Sequence, residues 1–186
     1  MKNYFYDYFA MTGKKYGSFY SKILTLQKPN LKFIYCGRRA IESKIWLIRI
    51  FFDYQRFLLR RKYGLEIFFN NIGPGFRLVH AYNVTISDKA ILGKNITIFK
   101  GSTIGEAFRG DKKGSPVLGN NIWIGPNATI VGKVKIGDDV VICGNSYIDF
   151  DVASHTVVKN GRNIIYKKEC ATKDLILYDI NKIVEG

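Results

Sequence analysis

His80 is the side chain in this sequence best suited to chemistry. It stands in the run Leu78-Val79-His80-Ala81-Tyr82-Asn83. Imidazole titrates near neutrality, so it can take a proton from a hydroxyl and hand it on. On position alone, a packed or surface histidine is an equally good reading. The other histidine, His155, lies in a Ser-His-Thr turn and reads as structural. The cysteines, Cys36, Cys143 and Cys170, are odd in number and have no metal or redox spacing. They predict a reducing compartment, hence the cytoplasm. A second reactive-looking stretch is the charged run Arg109, Asp111, Lys112 and Lys113, and for each of these a solvated loop is an equal reading.

Whatever positions these groups must be built from the repeats around them. Large aliphatics recur every six residues, at Ile86, Leu92, Ile98 and Ile104 and again at Leu118, Ile124, Ile130, Ile136, Ile142 and Ile148. The fourth residue after each is mostly small or apolar, and the residue directly after is often glycine (Gly93, Gly105, Gly119, Gly125, Gly137). Earlier units at Ile72 and Leu78 keep the rule. Period six fits neither an α-helix nor a lone alternating strand. It predicts a coiled solenoid from Ile72 to Ala153, with short strands on flat faces and glycine at the corners. Each coil stacks on the next at about 4.8 Å, so no coil is stable alone. Three units per turn give four coils.

Two breaks interrupt the register. Val84 and Thr85 read as extra residues between the Leu78 and Ile86 units. Gly110 to Val117 reads as an insertion that loops out, being charged and rich in turn formers. A histidine beside the first break is well placed to face a groove, and loops on rigid scaffolds often carry function. Arg38 to Lys62 reads as one helix ended by Gly64, and the aromatic, basic residues before Pro29 read as helical. Asn163 to Gly186 is expected to pack over the open end of the solenoid. The division is a helical region at 1–65, a β-helix at 66–158 and a capping segment at 159–186.

The net charge is +14 and uneven: residues 1–65 hold 14 Lys and Arg against 3 Asp and Glu, and the remainder 15 against 12. A basic N-terminal third admits nucleic acid, an anionic membrane surface or an acidic polymer as partner, or simply a solvated helical face. No nucleic-acid reading motif accompanies it. No secretory leader is visible, and the most apolar stretch, Ile45 to Phe52, is too short and too charged to span a bilayer.

The repeats, the break after His80, and the loop followed by Leu118-Gly119-Asn120-Asn121-Ile122-Trp123-Ile124-Gly125 resemble the left-handed β-helix acyltransferases. Within them the sequence is most similar to serine acetyltransferases and their capsular and exopolysaccharide O-acetyltransferase relatives. The resemblance covers about Tyr63 to Val158 and implies a mainly β fold, a left-handed parallel β-helix. It implies acetyl-CoA as co-substrate, no metal, and His80 as general base. The family's histidine-alanine-threonine-glycine run reads His80-Ala81-Tyr82-Asn83 here, with Asn83 able to take the turn conformation of glycine. Backbone N–H groups are implied for the developing oxyanion. The carboxylate that orients the histidine corresponds to Glu66, after a one-residue deletion. The family's arginine-histidine-proline in the loop is Gly114-Ser115-Pro116 here. That departure points to a sugar or polysaccharide hydroxyl as acceptor, contacted by Asn83, Arg109, Asp111, Lys113 and Ser115. Acetyl-CoA is implied along Trp123, Pro126, Gly144, Lys159 and Arg162, between neighbours in a homotrimer.

The expected function is therefore acetyl transfer to a hydroxyl of a sugar or capsular polysaccharide. Serine O-acetylation is the alternative, and a non-catalytic scaffold is the alternative of another class. A zinc hydratase on the same solenoid needs three imidazoles, and only His80 lies in the repeats.

Overall fold

The computed structural model describes residues 2–161 and 164–183. Four helices come first: α1 (Lys2–Thr12), α2 (Phe19–Gln27), α3 (Pro29–Glu42) and α4 (Trp46–Tyr63). Short strands follow: β1 (Leu65–Glu66), β2 (Arg77–Val79), β3 (Val84–Ile86), β4 (Ile91–Leu92), β5 (Ile96–Phe99), β6 (Thr103–Gly105) and β7 (Val117–Leu118). The second half adds β8 (Ile122–Ile124), β9 (Thr129–Val131), β10 (Lys135–Ile136), β11 (Val140–Ile142), β12 (Tyr147–Ile148), β13 (Thr156–Lys159) and β14 (Ile164–Lys167).

The strands form three sheets, in the orders β1-β3-β6-β9-β12, β10-β7-β4 and β14-β13-β11-β8-β5-β2. Up to β13, consecutive strands fall on different sheets, and each pairs in parallel with the strand one turn away, as Ile98 does with Ile124 and Ile104 with Ile130. This is a triangular parallel β-helix, the solenoid that period six predicts. The repeat aliphatics fill its interior: Ile86, Ile98, Ile104, Ile124, Ile130, Ile142 and Ile148 are fully buried.

The corners explain the glycine and asparagine spacing. One edge stacks Gly64, Asn83, Gly101, Asn127 and Asn145, all at positive φ. From Asn83 onward each amide bonds the turn before it: Asn83 N–H to the Tyr63 carbonyl, Gly101 N–H to that of Tyr82, Asn127 N–H to that of Lys100. The left-handed region suits only Gly and, less well, Asn and Asp. A second edge stacks Gly75, Asn95, Asn121, Asp139 and His155 in the same conformation. His155 is thus a corner residue, its ring 2.9 Å from the Asp139 carboxylate.

Four sequence expectations need correction. The first register break lies at His80–Tyr82 instead of Val84–Thr85. Val79 pairs with Phe99, and Gly101 bonds the Tyr82 carbonyl, so the surplus residues fall between Val79 and Asn83. Val84 is fully buried and pairs with Leu65, because its branched side chain belongs in the core. The helix expected over Arg38–Lys62 is two helices, α3 and α4. Ser43 separates them, its hydroxyl accepting the Ile45 N–H at 3.2 Å in place of a helical carbonyl. The looped-out segment begins earlier than Gly110: Ala107 and Gly114 bridge as a hairpin, while Val117 already lies in β7, paired with Ile91 and Lys135.

The C-terminal segment lies at the open end only through β14, the last strand of its sheet. The solenoid continues into β13, and β14 turns back antiparallel beside it. The chain then descends the outside, where the N–H groups of Ala171 and Thr172 bond Asp139 and that of Ile180 bonds Asn95.

The helical region is joined to the solenoid by a buried ion pair. Arg38 bonds Asp7 at 2.8 Å and the carbonyls of Ile72 and Gly73 at 2.7 Å each, and Asp7 accepts the Phe76 N–H at 2.8 Å. Both side chains are almost wholly buried, so each depends on the other's charge.

Candidate active site

The sequence places two surplus residues where β2 turns toward β3, and the chain absorbs them as a bulge. His80 occupies the bulge at φ 50°, a conformation costly for a branched or bulky side chain. The bulge pushes the imidazole outward, and His80 is exposed. It opens into a cleft of about 630 Å³ lined by Lys28, Pro29, Asn30, Tyr63, Ala81, Tyr82 and Lys100. The start of α3 and the end of α4 supply the far wall. Asn30 fixes the first of these by donating to the Leu78 carbonyl at 3.3 Å. Gly64 ends α4 at φ 64°, which leaves Tyr63 edge-on to Tyr82 with ring centroids 6.0 Å apart.

Glu66 lies one coil before Thr85, and its carboxylate accepts from Arg60 at 2.5 Å. Among the described residues, no carboxylate hydrogen-bonds His80. The aromatic neighbours of His80 run up the solenoid instead. Its ring is 6.3 Å from that of Phe99, which is 4.9 Å from that of Trp123.

The other sequence-predicted residues divide between two edges. Pro126 and Gly144 lie on the edge headed by His80, one coil apart, with the Asn145 N–H bonding the Pro126 carbonyl. Lys159 stands at the end of β13 on that edge, its ammonium 5.7 Å over the Tyr166 ring. Asn83 belongs to the same corner. Arg162 lies outside the described residues. Arg109, Asp111 and Lys113 are exposed on the hairpin. Ser115 has a buried hydroxyl without a partner. The hairpin leaves β6 at the next edge of the prism, so one chain does not bring these residues to His80.

Lys28, Asn30, Tyr63, Phe99 and Lys100 went unread in the sequence. For Phe99 and Lys100 a signal existed: a coil is three repeats, so residues about twenty positions after His80 stack directly on it. For Lys28 and Asn30 there was none, because their approach depends on how α3 packs.

The solenoid matches the family "Bacterial transferase hexapeptide (six repeats)" over residues 115–149. A serine acetyltransferase of Synechococcus elongatus is 34% identical over 97 residues, covering 52% of this chain and 40% of that one. A serine acetyltransferase of Staphylococcus epidermidis is 29% identical over 143 residues, covering 73% and 67%. The structure of the soybean serine acetyltransferase apoenzyme superposes with a TM-score of 0.70 at 23% identity, covering 89% of this chain and 68% of that one. In its hexapeptide repeats and its fold the chain is similar to serine acetyltransferases. It spans less than half the length of some curated relatives, 40% in Synechococcus elongatus and 47% in Helicobacter pylori. The family match lies within the coil, and the coverage of 89% of the chain carries the likeness to the soybean fold into the helical region.

Proposed function

We propose that the chain is an acetyl-CoA-dependent O-acetyltransferase in which His80 is the general base and serine the acceptor. One observation carries the reading: the bulge that exposes His80 heads the same edge along which Lys100, Pro126, Gly144 and Lys159 stack. A base and a run of corner backbone suited to an extended thioester thus share one edge. The serine acetyltransferases among its relatives support both the reaction and the acceptor. The coil is taken as left-handed, as in that family.

The acceptor hydroxyl gives its proton to the His80 imidazole as its oxygen attacks the thioester carbonyl. The C–O bond forms, the tetrahedral oxyanion collapses, and the C–S bond breaks. The imidazolium returns its proton to the departing thiolate, leaving an ester and free CoA. Glu66, bonded to Arg60, is the carboxylate assigned to orient the imidazolium in this reading. Phe99 and Trp123 run from the His80 ring up the adjoining sheet. Since the hairpin and His80 stand on different edges, a closed trimer would complete the site by setting Arg109, Asp111, Lys113 and Ser115 of one subunit opposite His80 of the next.

A sugar hydroxyl is the second reading. It is favoured by Gly114-Ser115-Pro116 standing where the family's recognition residues are arginine and histidine. Release of CoA thiol from acetyl-CoA, measured with L-serine and with a panel of sugars, separates the two. Serine-driven release abolished by His80→Ala is expected. Release driven only by sugars would overturn the acceptor, and no release with any hydroxyl would overturn the enzyme.

A further inference from the structure

Helix α4 carries an apolar face that the chain leaves open. Its inner side, with Ile48, Phe52, Leu59 and Tyr63, is half-buried, and Phe52 packs on Tyr35 at 5.5 Å between ring centroids. The opposite side carries Trp46, Leu47, Ile50, Phe51, Tyr54, Phe57 and Leu58, of which Trp46 is 65% exposed, Ile50 58% and Phe51 57%. At 3.6 residues per turn these seven share one side of the helix. Arg49, Arg56 and Arg60 run along one flank and Lys62 along the other, with Arg61 at the end of the face. The one acid, Asp53, is tied to Arg56 at 2.8 Å.

A contiguous apolar face of this kind marks an interaction site. A second copy and a lipid surface are the two simple occupants, and charge decides between them. Residues 44–62 hold Lys44, Arg49, Arg56, Arg60, Arg61 and Lys62 against Asp53 alone. Two copies face to face would crowd that surplus together, whereas anionic headgroups neutralise it. Trp46 and Tyr54 are also the ring types that settle at a membrane–water boundary. No helix among the described residues is long and apolar enough to cross a membrane.

We propose that α4 is an interfacial helix that lies in the plane of an anionic membrane, its apolar face in the headgroup–acyl boundary and its arginines and lysines among the headgroups. Tyr63, on the inner side of α4, lines the His80 cleft. The inference stands whether or not the acceptor is serine.

Co-sedimentation of the full chain with vesicles of phosphatidylcholine alone and of phosphatidylcholine with phosphatidylglycerol tests it. Binding to the anionic vesicles, weakened by salt, is expected, with little to the neutral ones. Ile50→Glu with Phe51→Glu should cut binding about tenfold or more. These positions are solvent-facing, so circular dichroism should show the helices intact. In the wild type, brominated lipid should quench a fluorescence component that Trp46→Phe removes, which reads the same contact without a charge variant. Absence of binding, or equal binding to both vesicles, overturns the proposal. So does a lipid-free oligomer in sedimentation equilibrium that the double variant dissociates, because the face then belongs to a second copy.

Discussion

The Arg38 guanidinium and the Asp7 carboxylate meet at 2.8 Å in the interior, at the seam between helices and solenoid. Their remaining bonds go to backbone groups of residues 72–76, so a single pair holds α1, α3 and the first coil together. Arg38→Met leaves Asp7 buried without its partner and should destabilise the fold by about 3–5 kcal/mol in urea titration. Replacing Asp7 by Leu in the same chain should recover part of that loss.

His80 should show opposite effects on stability and on rate. Its left-handed backbone costs about 1–2 kcal/mol for a residue with a side chain. His80→Gly is therefore expected to raise the melting temperature while lowering CoA thiol release by roughly 10²–10⁴-fold. A variant that loses both would mean the bulge needs the ring for packing.

Glycine positions in the solenoid are unequal. A Cβ on Gly93 would lie 2.4 Å from the Gly119 carbonyl oxygen, main chain that cannot swing aside. A Cβ on Gly110, in the hairpin, meets nothing within 4 Å. Gly93→Ala should thus cost several kcal/mol, and Gly110→Ala only the strain of its positive φ, about 1–2 kcal/mol. Denaturant midpoints of the two variants check this.

Attachment of the C-terminal segment should weaken in acid. Burial opposes ionisation of Asp139. It is outweighed by hydrogen bonds from the Thr172 side chain and N–H, from His155 and from the Ala171 N–H, which hold the carboxyl below its ordinary value of 3.8. A depressed carboxyl stabilises the fold fully above that ordinary value and progressively less as pH falls through its own. Hydrogen exchange at the Ala171 and Thr172 amides should accelerate, relative to the solenoid core, only below about pH 4. No change there would mean other contacts hold the segment.

Thiol reactivity should follow burial. Cys170 is exposed, Cys143 partly covered, and Cys36 buried with its thiol pushed up to about 11. A disulfide reagent at neutral pH should label Cys170 first, Cys143 slowly and Cys36 only on unfolding.

The solenoid was legible because one six-residue period fixes both which side chains turn inward and where the corners fall. Pro126 and Gly144, taken from the family resemblance, fall on one edge with His80. Period alone did not locate the bulge. Val84 and Thr85 look surplus in a linear count, and only burial of Val84 against the Leu65 coil shows that the slack lies at His80–Tyr82. Ser43 hid the helix break for a similar reason: its effect is a hydrogen bond to Ile45, not a proline or glycine. The wall of the cleft contributed by Lys28 and Asn30, and the path of 168–183 down the outside, depend on contacts between distant elements that no local spacing records.

The antiparallel placement of β14 has a consequence for assembly. A parallel coil can be lengthened only by another parallel rung, supplied by its own chain or by another molecule. At β13 that position is taken by a strand running the opposite way, whose four residues Ile164 to Lys167 are all exposed. The sheet that begins beside His80 therefore ends in a fixed stop. Growth of this sheet by further parallel rungs is interrupted by the chain's own reversal.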